Sequence, residues 1–465
     1  MNPISTAAVM AVGMAILAGL LALGRALGPA LGLQRLGLPA AVLAGALGLL
    51  LGPHGPWPVM PAAIEALWAR LPMVLLTLVF GTLMLGRPLP AVRRFWRPAA
   101  AQTLLGLTLG FGQYLIGALV VLLVLGPWLG VDPLMACLIE VGFEGGHGSA
   151  AVMGPIYAGL GFRDGTDLGL AMATVGLLCS TMMGGLLVVL AQRFGWLLSL
   201  EPQPVMLLPA GDPSGAVQLP EALEAHRPSC ALPEAETDGA GPASWLVNLG
   251  LAGLAVAMGV GMQMLMLHSA APLNGTWHTV LESMPVYPLA LAGSLLVRLS
   301  LERSRLESVV CPRQQAEISG LATDLLITAA MAGLDLGQLA RHWVPLAVLG
   351  IAGLFWNLLV VLVLARRVLP LDWFERAVAE FGQATGVAAS GLLLLGMADP
   401  DNRSGALPAF SIKQLLLQPV LSGGMVTVAA PLAVSRWGLP AWSELCFVLT
   451  ALWIALAVWL SASQP

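Results

Sequence analysis

Between Glu140 and Ala150 the chain reads Glu-Val-Gly-Phe-Glu-Gly-Gly-His-Gly-Ser-Ala, which gathers two carboxylates, an imidazole and a hydroxyl in eleven residues. Gly145, Gly146 and Gly148 flank His147 and permit positive φ and close approach of another chain or a ligand. Two readings follow: a tight turn between packed half-helices, or a polar pathway, because polar groups at membrane depth mark such pathways. Glu140, Glu144 and His147 also stand at i, i+4 and i+7, where a continuous helix would present three potential metal ligands on one face. The glycines work against such a helix. A second segment, Phe381-Gly-Gln-Ala-Thr-Gly-Val-Ala-Ala-Ser-Gly391, offers hydroxyls at Thr385 and Ser390, the Gln383 amide, and accessible backbone at Gly382 and Gly386. Hydroxyls and unwound carbonyls are the oxygen ligands that a sodium ion takes, and a plain structural bend fits the same residues. Asp324 is the one acid well inside an apolar run, Ala322-Thr-Asp-Leu-Leu-Ile-Thr328. A charge there costs about 3 kcal/mol or more, so it is expected to be paired or to share a cation-coupling role with Glu140 and Glu144.

The elements that position these residues follow from solvent. With 58% hydrophobic and 10% charged residues over 465 positions, the chain cannot hide its apolar surface in one water-soluble core. Apolar runs long enough for membrane helices are predicted near 4–24, 36–52, 70–86, 101–127 and 167–192, then near 244–268, 285–301, 315–333, 343–365 and 410–434, with a last one at 441–462. The acidic, proline-rich stretch 199–242 separates the two sets and reads as a polar cytoplasmic linker. Residues 132–165 and 374–400 are too rich in polar residues and glycine to cross, yet apolar enough to enter, and each is predicted as a re-entrant loop.

Each half, 1–198 and 243–434, therefore holds five spans and one loop, with 435–465 an additional C-terminal helix. Five is odd, so the second half enters the membrane in the opposite sense. The expected fold is an all-α polytopic membrane protein of two inverted five-helix repeats, whose loops approach the midplane from opposite faces. Placing the N-terminus outside puts seventeen of the 21 Arg and Lys residues, Lys413 and Arg376 among them, on the inner side. Many of the 14 tryptophans fall at predicted helix ends, where amphipathic rings collect. Lys413 is the one lysine, and no basic stripe suggests a nucleic-acid partner. Five cysteines without CxxC spacing are given no chemistry. At Gly184 and Gly185 in the fifth span, helix packing is favoured over function. Asp167 reads as an interfacial helix start.

The run DPLMACLIEVGFEGGHGSAAVM from Asp132 to Met153, DLGLAMATVGLL from Asp167 to Leu178 and LGLPAAVLAG from Leu36 to Gly45 closely resemble the bacterial sodium/glutamate symporter family. A fainter likeness runs through 318–434. The resemblance implies ten spans in two inverted domains, two glycine-rich re-entrant loops, sodium coupling and an anionic amino-acid substrate. The second loop, TGVAASGLLLLGMADPD, departs from the family's denser glycine run and its Thr-Pro-Thr-Ala-like tail, as in a divergent branch.

The expected activity is sodium-coupled uptake of L-glutamate, or of a related small anion, by alternating access across the bacterial inner membrane. The N-terminus is placed in the periplasm and the C-terminus in the cytoplasm. Gly145, Gly146, His147, Gly148, Ser149, Gly382, Gln383, Thr385, Gly386 and Ser390 are expected to shape the substrate site, and Asp324, Glu140 and Glu144 to couple the ion. Sodium and substrate are the expected small partners, the lipid bilayer the solvent and a homodimer the assembly, with no other cofactor and no enzymatic reaction. A symporter of another organic anion, an intramembrane metal-dependent enzyme using Glu140, Glu144 and His147, and a membrane scaffold are the competing readings.

Overall fold

A computed structural model describes residues 3–30, 40–52, 57–85, 92–197, 242–270, 286–333, 336–369, 372–400, 403–418 and 420–462. The predicted linker 199–242 lies outside these apart from Pro242. Among the described residues every regular element is helical, the form in which a chain in lipid satisfies its own backbone groups. Six helical stretches among the described residues are long and apolar enough to cross a membrane: Val9–Ala30, Ala99–Leu129, Gly165–Phe194, Ser244–His268, Trp343–Val368 and Leu439–Ala462. The chain is a multi-pass membrane protein.

The helices sort into two packed groups. The first contains α1 (Pro3–Ala30), α2 (Ala40–Leu51), α3 (Ala62–Trp68) and α4 (Leu71–Thr82) from the N-terminal half. The second group's N-terminal members are α5 (Val92–Val120), α6 (Leu138–Gly142), α7 (Gly146–Val152), α8 (Gly154–Gly159) and α9 (Gly165–Phe194). In the C-terminal half α10 (Pro242–Ala270), α11 (Val286–Arg303) and α12 (Pro312–Ala332) join the first group. To the second group belong α13 (Trp343–Leu359), α14 (Trp373–Thr385), α15 (Ala388–Ala398), α16 (Ala406–Leu417), α17 (Met425–Trp437) and α18 (Leu439–Ala462). The groups meet where α7 lies on α4 and α12.

Packing within the groups has an exchange symmetry. α1 packs on α2 as α10 packs on α11; α2 packs on α12 as α11 packs on α4; α1 on α12 as α10 on α4. α4 and α12 pack on each other, as do α5 and α13. Both α5 and α13 widen into π-helix near their ends, at Val121–Leu125 and Val360–Ala365, just before a broken segment. Among the described helices α18 has no counterpart, and it packs along α5.

Several expectations are corrected. The span at 410–434 is two helices, α16 and α17, separated by a turn in which Ser422 and Gly423 take φ of 55° and 90°. Hydropathy carried the prediction across Ser422-Gly423-Gly424, whose small residues allow the chain to turn. The span at 70–86 is instead the short α4, preceded by α3. Lys413 and Arg376, assigned to the inner surface, are buried: Lys413 is 0% exposed on α16, and Arg376 on α14 pairs with Asp372 at 2.7 Å. The first predicted run stops at 24, but α1 continues through Arg25 to Ala30. Of the cysteines, Cys311 is disulfide-bonded, whereas Cys137, Cys179 and Cys446 are free thiols. Gly184 does pack, against Leu394, while Gly185 faces open space.

α10 and α11 cross closely at small residues: a Cβ on Gly259 would lie 2.6 Å from the Ala290 nitrogen. Gly259→Ile is expected to force the helices apart and cost about 1–3 kcal/mol, read as a lower unfolding temperature in detergent. Gly261→Ile, which has open space around it, should leave that temperature unchanged.

Candidate functional site

Three helix breaks converge in the second group. α6 ends with its C-terminal turn closed by Phe143 N–H on Ile139 O and Gly145 N–H on Glu140 O at 2.7 and 2.8 Å. The chain then turns at Gly146, whose φ of 65° suits glycine. A Cβ there would lie 2.9 Å from Val387 Cγ1 and 3.5 Å from Gly386 O, so the first break rests on the break between α14 and α15. The third break, between α16 and α17, brings Gly423 against Ser149. It also turns Ser422 onto the acids of the first: Ser422 N–H donates to Glu140 Oε1 at 3.2 Å and Ser422 Oγ donates to Glu144 Oε1 at 3.0 Å.

Around this junction lies a buried polar network. Glu140 also accepts from Thr427 Oγ1 at 2.9 Å and from the Tyr114 hydroxyl, so both of its oxygens are provided for. Lys413 Nζ stands 2.9 Å from Glu380 Oε2, 3.2 Å from Gln414 Oε1 and 3.7 Å from Glu144 Oε1. Gln102 Nε2 donates to Glu380 Oε1 at 2.9 Å and to Arg376 O at 3.2 Å. Gln414 Nε2 donates to Gln383 Oε1 at 3.0 Å, and Gln383 Nε2 reaches Ser422 Oγ at 3.4 Å. Charge does not close within the cluster. Glu144 and Glu380 face one ammonium, Glu140 beside them meets only hydroxyl and amide donors, and Glu144 Oε2 is buried without a hydrogen-bond partner. Unpaired buried charge costs several kcal/mol per ion even after relaxation.

The end of α14 is held from two long helices. Gln113 on α5 donates to Ala384 O at 2.6 Å. Asn357 on α13 donates to the same carbonyl at 3.1 Å and to Thr385 Oγ1 at 3.0 Å. These amides satisfy a carbonyl that the break would otherwise leave unpaired. α15 then starts at Ala388 with no side-chain cap from Val387, and Ser390 Oγ in its first turn is buried without a partner.

The structure thus brings Glu140, Glu144, Gly145, Gly146, Ser149, Gln383 and Gly386 to one junction, with Thr385 adjoining through Asn357. Gly382 packs under Gly391, and Gly148 faces Leu76 of α4 at 3.5 Å. His147 turns away: its Nε2 lies 3.1 Å from Thr174 Oγ1, and the turn at Gly146 removes it from the face that carries the glutamates. The three-ligand helical face is therefore not formed. Asp324 is also elsewhere, paired with Arg25 at 2.7 Å and 28% exposed, because α1 extends far enough to deliver that arginine. A cavity of about 600 Å³ opens between the two groups and is lined by Trp68, Ala151, Arg163, Asp167 and Ala330 among others.

The sequence reading missed Lys413, Glu380, Tyr114, Gln102, Gln414, Ser422 and Thr427. The lone lysine inside Ile412-Lys-Gln-Leu415 and the Ser-Gly-Gly turn within a predicted span were the available signals. No protein-family model matches this chain, and no curated protein sequence matches it.

Thr427→Val and Tyr114→Phe each remove one donor from buried Glu140. Each is expected to destabilise by about 1–3 kcal/mol, seen as a lower unfolding temperature. The double variant should fall short of the sum, since both donors serve one carboxylate.

Proposed function

We propose that the chain is a secondary active transporter that couples sodium to the movement of a small organic anion, with L-glutamate the first candidate. The observation that carries this reading is the convergence of three helix breaks on a buried cluster whose carboxylates outnumber its ammonium by two. With every group ionised, the cluster is electroneutral only when two further monovalent cations bind. Broken helices at such a point offer carbonyls to cations and amide ends to anions. Glu140 and Glu144 sit where cations would couple. The amino end of α15, with Ser390, is where a substrate carboxylate would be received. Asp324, engaged with Arg25, has no part in this reading.

The exchange symmetry of the packing supports reading the two halves as inverted repeats, and 132–165 and 374–400 as the corresponding re-entrant segments. Alternating access would then move the second group against the first, across the interface of α7 with α4 and α12. The same reading places the protein in a bacterial inner membrane, with its N-terminus in the periplasm and its C-terminus in the cytoplasm.

Purified protein in proteoliposomes is expected to accumulate radiolabelled L-glutamate under an inward sodium gradient and not without one. Gly146→Val puts a β-branched residue at positive φ, and Gly386→Val drives a side chain into Ser180. Each should reduce uptake to background while the protein still inserts; uptake retained in both would overturn the site. No glutamate uptake, but sodium-dependent stabilisation by another anion, would change the substrate and keep the mechanism. Silence in both assays would overturn the proposal.

A further inference from the structure

Lys413 is set up as more than one half of an ion pair. Its ammonium lies between two carboxylates on different segments, Glu380 of α14 at 2.9 Å and Glu144 of the first break at 3.7 Å, all with fully buried side chains. The two separations are unequal, and the shorter leaves Glu144 the weaker partner. Glu144 Oε1 is shared between this ammonium and the Ser422 hydroxyl, while Glu144 Oε2 is buried with no partner. The lysine side chain runs over Gly106 of α5, where a Cβ would lie 3.2 Å from Nζ. An ammonium is a compact point charge on a flexible four-carbon stem with three rotatable donors, so side-chain torsion alone can shift it between neighbouring carboxylates. It offers Glu144 the same unit of positive charge that a sodium ion would, and like-charge repulsion sets the two cations against each other at that carboxylate.

We propose that Lys413 is a tethered cation that competes with the coupling sodium ion for Glu144. Without sodium, the ammonium is shared between Glu144 and Glu380. With sodium at Glu144 Oε1 and Oε2 and Ser422 Oγ, the ammonium withdraws onto Glu380. The inference rests on the sodium-coupling reading above. It assigns to Lys413 the job of keeping the cluster from standing at its full negative charge while the external cation is away, and of setting how tightly that cation is held.

Competition predicts shifts of opposite sign from the two partners of the closest pair and, unlike the Coulomb effect of a fixed pair, which largely cancels when both charges are removed, tighter sodium binding in the paired variant as well. The measurement is the sodium dependence of the unfolding temperature of the purified full chain in detergent, with choline holding ionic strength constant. Lys413→Gln removes the competitor, and the sodium concentration for half-maximal stabilisation should fall at least tenfold. Glu380→Gln leaves the ammonium nowhere to withdraw, and that concentration should rise at least tenfold. Glu144→Gln should abolish the response. Should Lys413→Gln fail to fold, the paired Lys413→Gln, Glu380→Gln variant removes both charges together. It should bind sodium more tightly than the parent protein, and parental sodium dependence in it would overturn the proposal. Shifts in the same direction for the two single variants, or no shift in either, would also overturn it while sodium coupling itself stands. A parent protein indifferent to sodium would remove the coupling reading, and this inference with it.

Discussion

The constraint on which the rest of the site depends is the cost of holding Lys413, Glu380 and Glu144 away from water. Moving one such ion into a low-dielectric interior costs on the order of 20 kcal/mol in the idealised limit and several after relaxation. Attraction between the charges recovers this only with good geometry and satisfied outer hydrogen bonds. The surroundings supply both. Gln102 provides for the far oxygen of Glu380, Gln414 accepts from the ammonium and ties it to Gln383, and Ser422 provides for Glu144. Each of these side chains comes from a different segment. The charges can therefore be accommodated only when α5, α14, α16 and the breaks are all in place, and the cluster in this sense specifies how they assemble.

The breaks meet a second demand of the same kind. A helix that stops inside an apolar medium exposes carbonyls at one end and amides at the other, and these must find partners. At the end of α14 the partners are Gln113 on α5, the helix that also carries Gln102, and Asn357, the one amide side chain of α13. At the end of α6 the turn is closed by backbone, and the acids next to it are received by Ser422 and Thr427. Long uninterrupted helices such as α9 carry no such requirement along their length. They serve as the rigid walls against which the broken ones are registered, Gly176 and Ser180 of α9 abutting Thr385 and Gly386.

Much of the architecture was legible because lipid as a solvent imposes length and composition on every crossing segment. The long helices fall close to the predicted runs, and both glycine-rich segments consist of short, broken helices. What escaped has one physical origin. Averaged hydropathy sees the apolar flanks of Lys413 and of Ser422-Gly423-Gly424 but not the partners that make a buried charge or a buried turn tolerable. Those partners lie tens to hundreds of positions away in the sequence. Asp324 shows the converse: it stands out as a lone acid in the sequence, yet its counter-charge, Arg25, lies one residue beyond the predicted end of the first span. Spacing alone grouped His147 with Glu140 and Glu144, and one glycine at positive φ separates them.

The exchange symmetry of the packing is incomplete in one place that matters. α9 runs unbroken for 30 residues, whereas its counterpart position is filled by α16 and α17 with a turn between them. If the two halves were alike, any rearrangement that carried the packing of one into that of the other would connect states of equal free energy. Here the turn that reaches Glu140 and Glu144 exists on one side only. The two packings are therefore chemically unequal, and the inequality lies in the covalent chain itself, at Ser422, Gly423 and Gly424.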